Sequence, residues 1–247
     1  MYTTMRRRRS IEAFSAPEKV AAYDADMELM HPNRSRMVEV AIEVLPFEPD
    51  AALTALDLGA GTGYFTAMFL EAYPRAKVMA VDGAEAMLEL AKARLGSAGE
   101  SVDFCLGDLR DLRRLVPAPD GFDVAYSSYA LHHLDREEKT ALLRDVITLL
   151  RPGGWFVNAD VIVAGEAAVE ARFQQLRMEG IVRRAAGADP RFTDVETARR
   201  YLDEMEAQAE DKPLTLEEDL RVLRDGGLRE VAVFWLEYRE AVTAGRK

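Results

Sequence analysis

The sequence predicts an α/β fold, a mostly parallel sheet with helices on both faces. Three observations carry that reading. Short apolar runs alternate with amphipathic stretches up to about residue 163. A glycine cluster, "LDLGAGTGYF" (56–65), stands where the first run gives way to a helical pattern. The stretch "LREVAVFWLEYREAVTAGRK" offers two strands with too little chain between them for a crossover helix, so they pair antiparallel.

Each element has its own local reason. Residues 1–50 precede the first strand, and "SAPEKVAAYDADMELMHPNRSRMVEVAIEVLP" reads as two helices broken at His31–Pro32. Strands are expected at 51–58, 77–82, 101–108, 122–128 and 155–163, rich in valine, alanine and aromatics. Helical patterns at Tyr64–Ala72, Ala84–Leu95 and Asp135–Leu150 separate them. The last opens with Asp135 as N-cap and Glu138 three residues on, and "RPGG" (151–154) stops it. Beyond 163, Glu166–Ala186 reads as one helix, 187–213 as polar and helical, and 215–227 as a helix capped by Thr215 and stopped by Gly226–Gly227. Strands at Glu230–Leu236 and Tyr238–Ala244 then make the sheet mixed at one edge.

A chain of 247 residues is long enough to bury a substantial core without disulfides. Its single cysteine, Cys105, leaves no disulfide framework and no thiolate metal cluster; no metal is expected, and a reducing, cytoplasmic setting fits. With 32 basic and 43 acidic residues the net charge is −11, which disfavours nucleic acid as a partner. Arg6–Arg9 reads as a solvated tail or a local anionic contact, and no apolar run follows it to make a signal peptide. No run approaches the roughly 20 apolar residues of a membrane span.

Glycines at 59, 61 and 63 allow tight turns and close approach of a ligand. The spacing is G-x-G-x-G, and Tyr64 occupies the third glycine position of a dinucleotide fingerprint. Asp57 stands just before the turn. A carboxylate there repels a pyrophosphate and suits an ammonium group, so a cationic amino-acid nucleoside is the expected ligand; a plain turn-forming role for Asp57 remains open.

"LDLGAGTGYF" resembles motif I of the class I S-adenosylmethionine-dependent methyltransferases. "VMAVDGAEAML", "CLGDLRDL", "FDVAYSSYALHHL" and "LLRPGGWFV" resemble the later motifs, in order, over about residues 50–163. The resemblance implies a three-layer Rossmann-like sandwich with a seven-stranded, mostly parallel sheet, an antiparallel edge strand and helical substrate-covering additions. It implies a single domain over 1–247: an N-terminal helical cap (1–50), a cofactor-binding core (51–163), a helical insert (164–213) and a C-terminal helix and sheet edge (214–247). S-adenosyl-L-methionine is the implied cofactor and S-adenosyl-L-homocysteine its product. Asp57, Gly59, Ala60, Gly61, Gly63, Asp82, Gly83, Met87, Gly107, Asp108, Leu109 and Ser127 would hold the cofactor, with Asp57 toward its ammonium group, Asp82 accepting the ribose hydroxyls, Asp108 accepting the adenine amino group and the Leu109 N–H near the ring. Asp82 could also serve as a helix N-cap, and Asp108 as a loop acid without a ligand.

Methyl transfer needs a base only when the acceptor carries a proton. The candidates are His132, His133 and His31. In the family, "LHHL" is also a structural post-strand segment whose first histidine lies against the cofactor. Tyr23, Tyr126 and Tyr129 suit either an acceptor pocket or the core. Met27, Met30, Phe173, Met178, Phe192, Tyr201 and Met205, in the added segments, suit a small, partly apolar acceptor. "YSSY" replaces the N/D-P-P-Y/F motif of the amino-group methylases of nucleic acids and glutamine, which, with the acidic charge, favours a small-molecule O-, N- or C-acceptor over a macromolecule. The C-terminal edge strands leave a homodimer open.

A narrower resemblance is to the carboxy-S-adenosylmethionine synthases of tRNA wobble-uridine modification. "AAYD", Arg199–Arg200 and the ending "FWLEYREAVTAGRK" carry it. It implies that Arg199 or Arg200 meets the extra carboxylate. That family's Arg-Ser-x-Pro-x-Tyr segment is echoed only by "HPNRSRM".

Overall fold

A computed structural model of the chain describes residues 11–14, 17–117 and 120–247. The Arg6–Arg9 run lies outside them. Seven strands form one sheet: β1 Thr54–Leu58, β2 Lys77–Asp82, β3 Val102–Leu106, β4 Phe122–Ser128, β5 Leu150–Val161, β6 Arg229–Glu237 and β7 Glu240–Arg246, in the order β3-β2-β1-β4-β5-β7-β6. The first five run parallel. β7 runs antiparallel between β5 and β6. The hairpin turn places Tyr238 at φ 49°.

The helices are α1 Pro17–Met30, α2 Arg34–Glu43, α3 Tyr64–Ala72, α4 Glu85–Leu95, a single turn α5 Leu112–Leu115, α6 Arg136–Leu149, α7 Ala167–Ala185, α8 Val195–Ala209 and α9 Leu216–Gly226. Their ends follow local chemistry. Asp135 and Glu138 form a reciprocal capping box on α6, as do Thr215 and Glu218 on α9. Gly227, at φ 112°, ends α9. β5 starts at Leu150, five residues before the expected Trp155. Its "RPGG" segment bulges out of register with β4 between Phe122 and Val124, held by Arg151 Nη1 donating to Asp123 Oδ1 at 2.5 Å.

Alternating strand residues feed two cores. Ala55, Val78, Val124 and Val157 pack under α2 and α3, with Phe69 and Tyr126 fully buried among them. Leu56, Val81, Ala125 and Phe156 face the other side, under α6 and α9. Each such leucine, valine or phenylalanine contributes about 1.5–3 kcal/mol by burial. A third cluster joins Met30 of α1 to Met178 and Ile181 of α7 and Phe192, Ala198 and Leu202. Arg191 ties the insert to α1 through Asp26 at 2.6 and 2.9 Å. The two segments added to the core thus pack on each other. No described helix is long and apolar enough to cross a membrane.

Candidate functional site

The carboxyl ends of β1, β2, β3 and β4 open onto one cleft, where open α/β sheets place ligands. The glycine turn forms its floor. Gly59 and Ala60 N–H donate to the Val81 carbonyl at 2.9 and 3.0 Å. Gly61 N–H donates to Asp82 Oδ2 at 2.8 Å, and Asp82 Oδ1 accepts Ala84 N–H at 2.8 Å. The loop needs glycine: φ is 75° at Gly59, and a Cβ there would lie 2.4 Å from Ala130 Cβ. Burial pushes the Asp82 carboxyl above its usual range, against the lowering effect of the backbone N–H groups.

Gly59, Ala60, Gly61, Asp82, Gly83, Met87, Asp108 and Leu109 line this cleft. Four other residues expected to hold the cofactor lie off its wall. Asp57 is buried beneath the loop, with its Oδ2 accepting Thr66 Oγ1–H at 2.5 Å; burial, with the charge of Asp82, pushes its carboxyl up to about 7. Gly63 caps α3, at φ 72°. Gly107 faces Leu115, whose Cδ1 would lie 2.3 Å from a Cβ there. Ser127 is buried and donates to the Leu58 carbonyl at 2.7 Å; the next residue, Ser128, lines the cleft instead. Asp108 caps the turn after β3 by accepting Arg110 N–H at 2.9 Å, and the Arg110 guanidinium lies 3.2 Å away while also donating to Glu138 at 2.7 Å.

Sequence reasoning missed Arg34. Its guanidinium carbon stands 4.0 Å from the centre of the Tyr64 ring, and its Nη1 donates to Asp24 at 2.7 Å. Asp24 also accepts Thr62 Oγ1–H at 3.0 Å and a bond from Arg94. The N-terminal helix is thereby clasped to the glycine loop. Tyr64 breaks the dinucleotide fingerprint, and the structure gives it this stacking role.

A second cavity adjoins the first. Phe14, Tyr23, Tyr129 and His133 face both. Counting their open mouths, the two spaces measure about 880 and 1690 Å³. Met27, Met30, Tyr201 and Met205 from the added segments line the second, as the sequence suggested, and so do Arg177, Arg191 and Arg239. Phe173 instead faces a third hollow, whereas Met178 and Phe192 are core. Of the tyrosines, Tyr126 is core while Tyr23 and Tyr129 reach the cavities. Arg199 and Arg200 line none of the three spaces, and Arg200 lies exposed beside Glu196 at 3.5 Å.

All three histidines face the second cavity, each beside a carboxylate. His31 Nδ1 is 2.7 Å from Glu240 Oε1, which also accepts Tyr129 O–H at 2.8 Å. Burial nevertheless holds the His31 pKa below its usual value. His132 Nδ1 is 2.6 Å from Asp160 Oδ1. Burial works to lower its pKa, but Asp160 and Asp211 outweigh it and the net direction is up. His133 Nδ1 is 2.9 Å from Asp211 Oδ1; burial and the His132 charge push it down. No metal set was expected from the sequence, yet His132, His133 and Asp211 bring three potential ligand atoms within 4.8 Å of one another. Asp160 left a trace in the sequence, an acid inside an apolar strand. Asp211 left none, since only the tertiary fold carries it to the histidines.

Residues 55–154 match the protein family described as "Methyltransferase domain". An uncharacterized methyltransferase of Anoxybacillus flavithermus is 35% identical over 129 residues, covering 51% of this chain and 56% of that protein. The malonyl-[acyl-carrier protein] O-methyltransferase of Halalkalibacterium halodurans is 31% identical over 133 residues, covering 53% and 48%. The chain thus spans about half the length of these curated relatives. Among solved structures, an O-methyltransferase family protein from Burkholderia thailandensis superposes with a TM-score of 0.65 at 21% identity, over 92% of this chain and 59% of that one.

Proposed function

We propose that the protein, whose residues 55–154 match the methyltransferase-domain family, is a class I S-adenosylmethionine-dependent methyltransferase acting on a small-molecule acceptor. The observation that carries the proposal is the acid-tied glycine loop: Asp82 gripping Gly61 at the floor of a cleft that opens into a second, larger cavity. The residues present fit the cofactor. Asp82 offers carboxylate oxygens to a ribose diol, and Asp108 with the Leu109 N–H offers polar partners to an adenine edge. Met87 and Leu109 offer apolar cover. Asp57 lies beneath the loop, out of contact with the cleft, and once ionised, above about pH 7, it acts on a bound cation through its field. When bound, the cofactor supplies an electrophilic methyl group on a sulfonium.

The chain's own residues do the rest. Phe14, Tyr23 and Tyr129, between the two cavities, exclude water there. The acceptor enters the second cavity, whose methionines, tyrosines and arginines suit a partly apolar molecule with an anionic group. The His132–His133 pair faces the acceptor from the wall of this cavity, and His31, bonded to Glu240, orients Tyr129. An O-methyltransferase among the relatives favours an oxygen acceptor. Calorimetry tests the first step: S-adenosylhomocysteine binds and NAD does not. Binding of NAD alone would overturn the reading.

A further inference from the structure

The wall of the second cavity holds two imidazoles and a carboxylate that ordinary hydrogen bonding leaves incomplete. His132 Nδ1 is engaged by Asp160 Oδ1 at 2.6 Å, and Asp160 Oδ1 also accepts Val161 N–H at 2.8 Å. A carboxylate on Nδ1 fixes the proton there and leaves Nε2 with its lone pair free to ligate. That Nε2 lies 3.8 Å from Asp211 Oδ1. His133 Nδ1 lies 2.9 Å from the same oxygen. Beyond this close ion pair, whose geometry falls short of an aligned hydrogen bond, each of the two atoms is a buried polar atom without a hydrogen-bond partner. Such atoms are rare and call for an explanation.

A cation supplies one. Ligands about 2.1 Å from a metal stand about 3.0–3.4 Å from each other, and the observed separations bracket that range. Lys212 N–H donates to the His132 carbonyl at 2.7 Å, which pins the Asp211 segment to the histidine turn. Asp160 and Asp211 together balance a divalent charge. Lys139, whose charge acts on Asp160, is itself paired with Asp219 at 3.2 Å.

We propose that His132, His133 and Asp211 bind a divalent first-row cation of the zinc type, oriented by Asp160, with an open coordination position facing the second cavity. Two imidazoles and one carboxylate are a borderline-soft donor set that suits zinc, cobalt or iron better than magnesium or calcium. The use of that open position, to hold an acceptor oxygen or nitrogen and lower the pKa of its proton, rests on the methyltransferase reading; the metal site itself does not.

The test uses the full chain without a histidine tag, stripped with a chelator and desalted. Cobalt(II) is titrated by visible absorbance and zinc by calorimetry, both without cofactor. One equivalent is expected to bind with a ligand-field band. Asp211→Asn and His133→Gln should each weaken it at least tenfold, and Asp160→Asn about 10–100-fold. Thermal melts of every variant report whether it folds, and binding of S-adenosylhomocysteine is measured separately on the same samples. Binding well below one equivalent, or affinities unchanged in both Asp211→Asn and His133→Gln, overturns the site. Loss of S-adenosylhomocysteine binding by the unsubstituted chain would instead overturn the methyltransferase reading and leave the metal result standing.

Discussion

Asp82 Oδ2 accepts the backbone N–H of Gly61 at 2.8 Å, so the acid that ends β2 sets the shape of the loop that follows β1. The same carboxylate caps the next helix through Ala84 N–H. Asp82→Ala removes two charge-assisted bonds, each worth about 1.5–3 kcal/mol. S-adenosylhomocysteine affinity is expected to fall at least 100-fold by calorimetry, with Asp82→Asn in between. A less than threefold change in Asp82→Ala would remove Asp82 from the site.

Gly59 and Gly61 share a left-handed backbone but not their surroundings. A methyl on Gly59 meets Ala130 Cβ at 2.4 Å, whereas one on Gly61 finds only the Gly59 carbonyl, at 4.0 Å. Gly61→Ala should therefore cost about 1–2 kcal/mol of stability from conformation alone, and Gly59→Ala clearly more. Ala130→Gly should recover the difference in a double-mutant cycle of urea unfolding midpoints. If Gly59→Ala proved the milder of the two, the steric account would be wrong.

The Asp57 carboxyl, pushed from 3.8 up to about 7 by burial, keeps its proton in the folded chain where the unfolded chain has lost it. Folded molecules then bind more protons than unfolded ones between about pH 4 and pH 7. Stability from this group is full below about pH 4, falls as pH rises through that window, and is flat above it. Asp57→Asn should flatten the decline, by an amount on the order of a few kcal/mol. Denaturant unfolding at pH 5 and pH 8 reads it; parallel profiles for variant and parent would contradict the assignment.

Arg34 is buried, bonded to Asp24 and stacked on Tyr64, and so joins the N-terminal helix to the glycine loop. Arg34→Met leaves Asp24 with Thr62 and the partly exposed Arg94. A loss of about 1–3 kcal/mol is expected, and amide exchange should quicken in residues 20–30 before it does in the strands. Uniform exchange across the chain would argue against a clasp.

Much of the fold is legible because its signals are local. The capping boxes at Asp135 and Thr215, the glycine stop at 227 and the break at His31–Pro32 each lie within a few residues of chain. The short connection after Leu236 announces a hairpin, although the turn falls at Tyr238 and Arg239, two residues that the sequence placed in the second strand. It does not say that the hairpin folds back to set β7 against β5 and leave β6 at the edge. Local reasoning also does not separate Ser127 from Ser128. β4 is buried on both faces, so no polar alternation marks which serine turns toward the cleft. Arg34 over Tyr64 and Asp211 beside His133 are pairings across 30 and 78 positions, and nothing near either residue encodes them.

Among the described residues, Phe14, Tyr23, Tyr129 and His133 line both chambers where they meet. An inhibitor joining a nucleoside to an acceptor fragment must therefore pass its tether between these side chains. A graded series of tether lengths would then act as a ruler, with potency rising sharply at the length that spans the gap. Trimming Phe14 or Tyr129 should widen the opening and admit bulkier tethers, giving a route to selective chemical control of the protein.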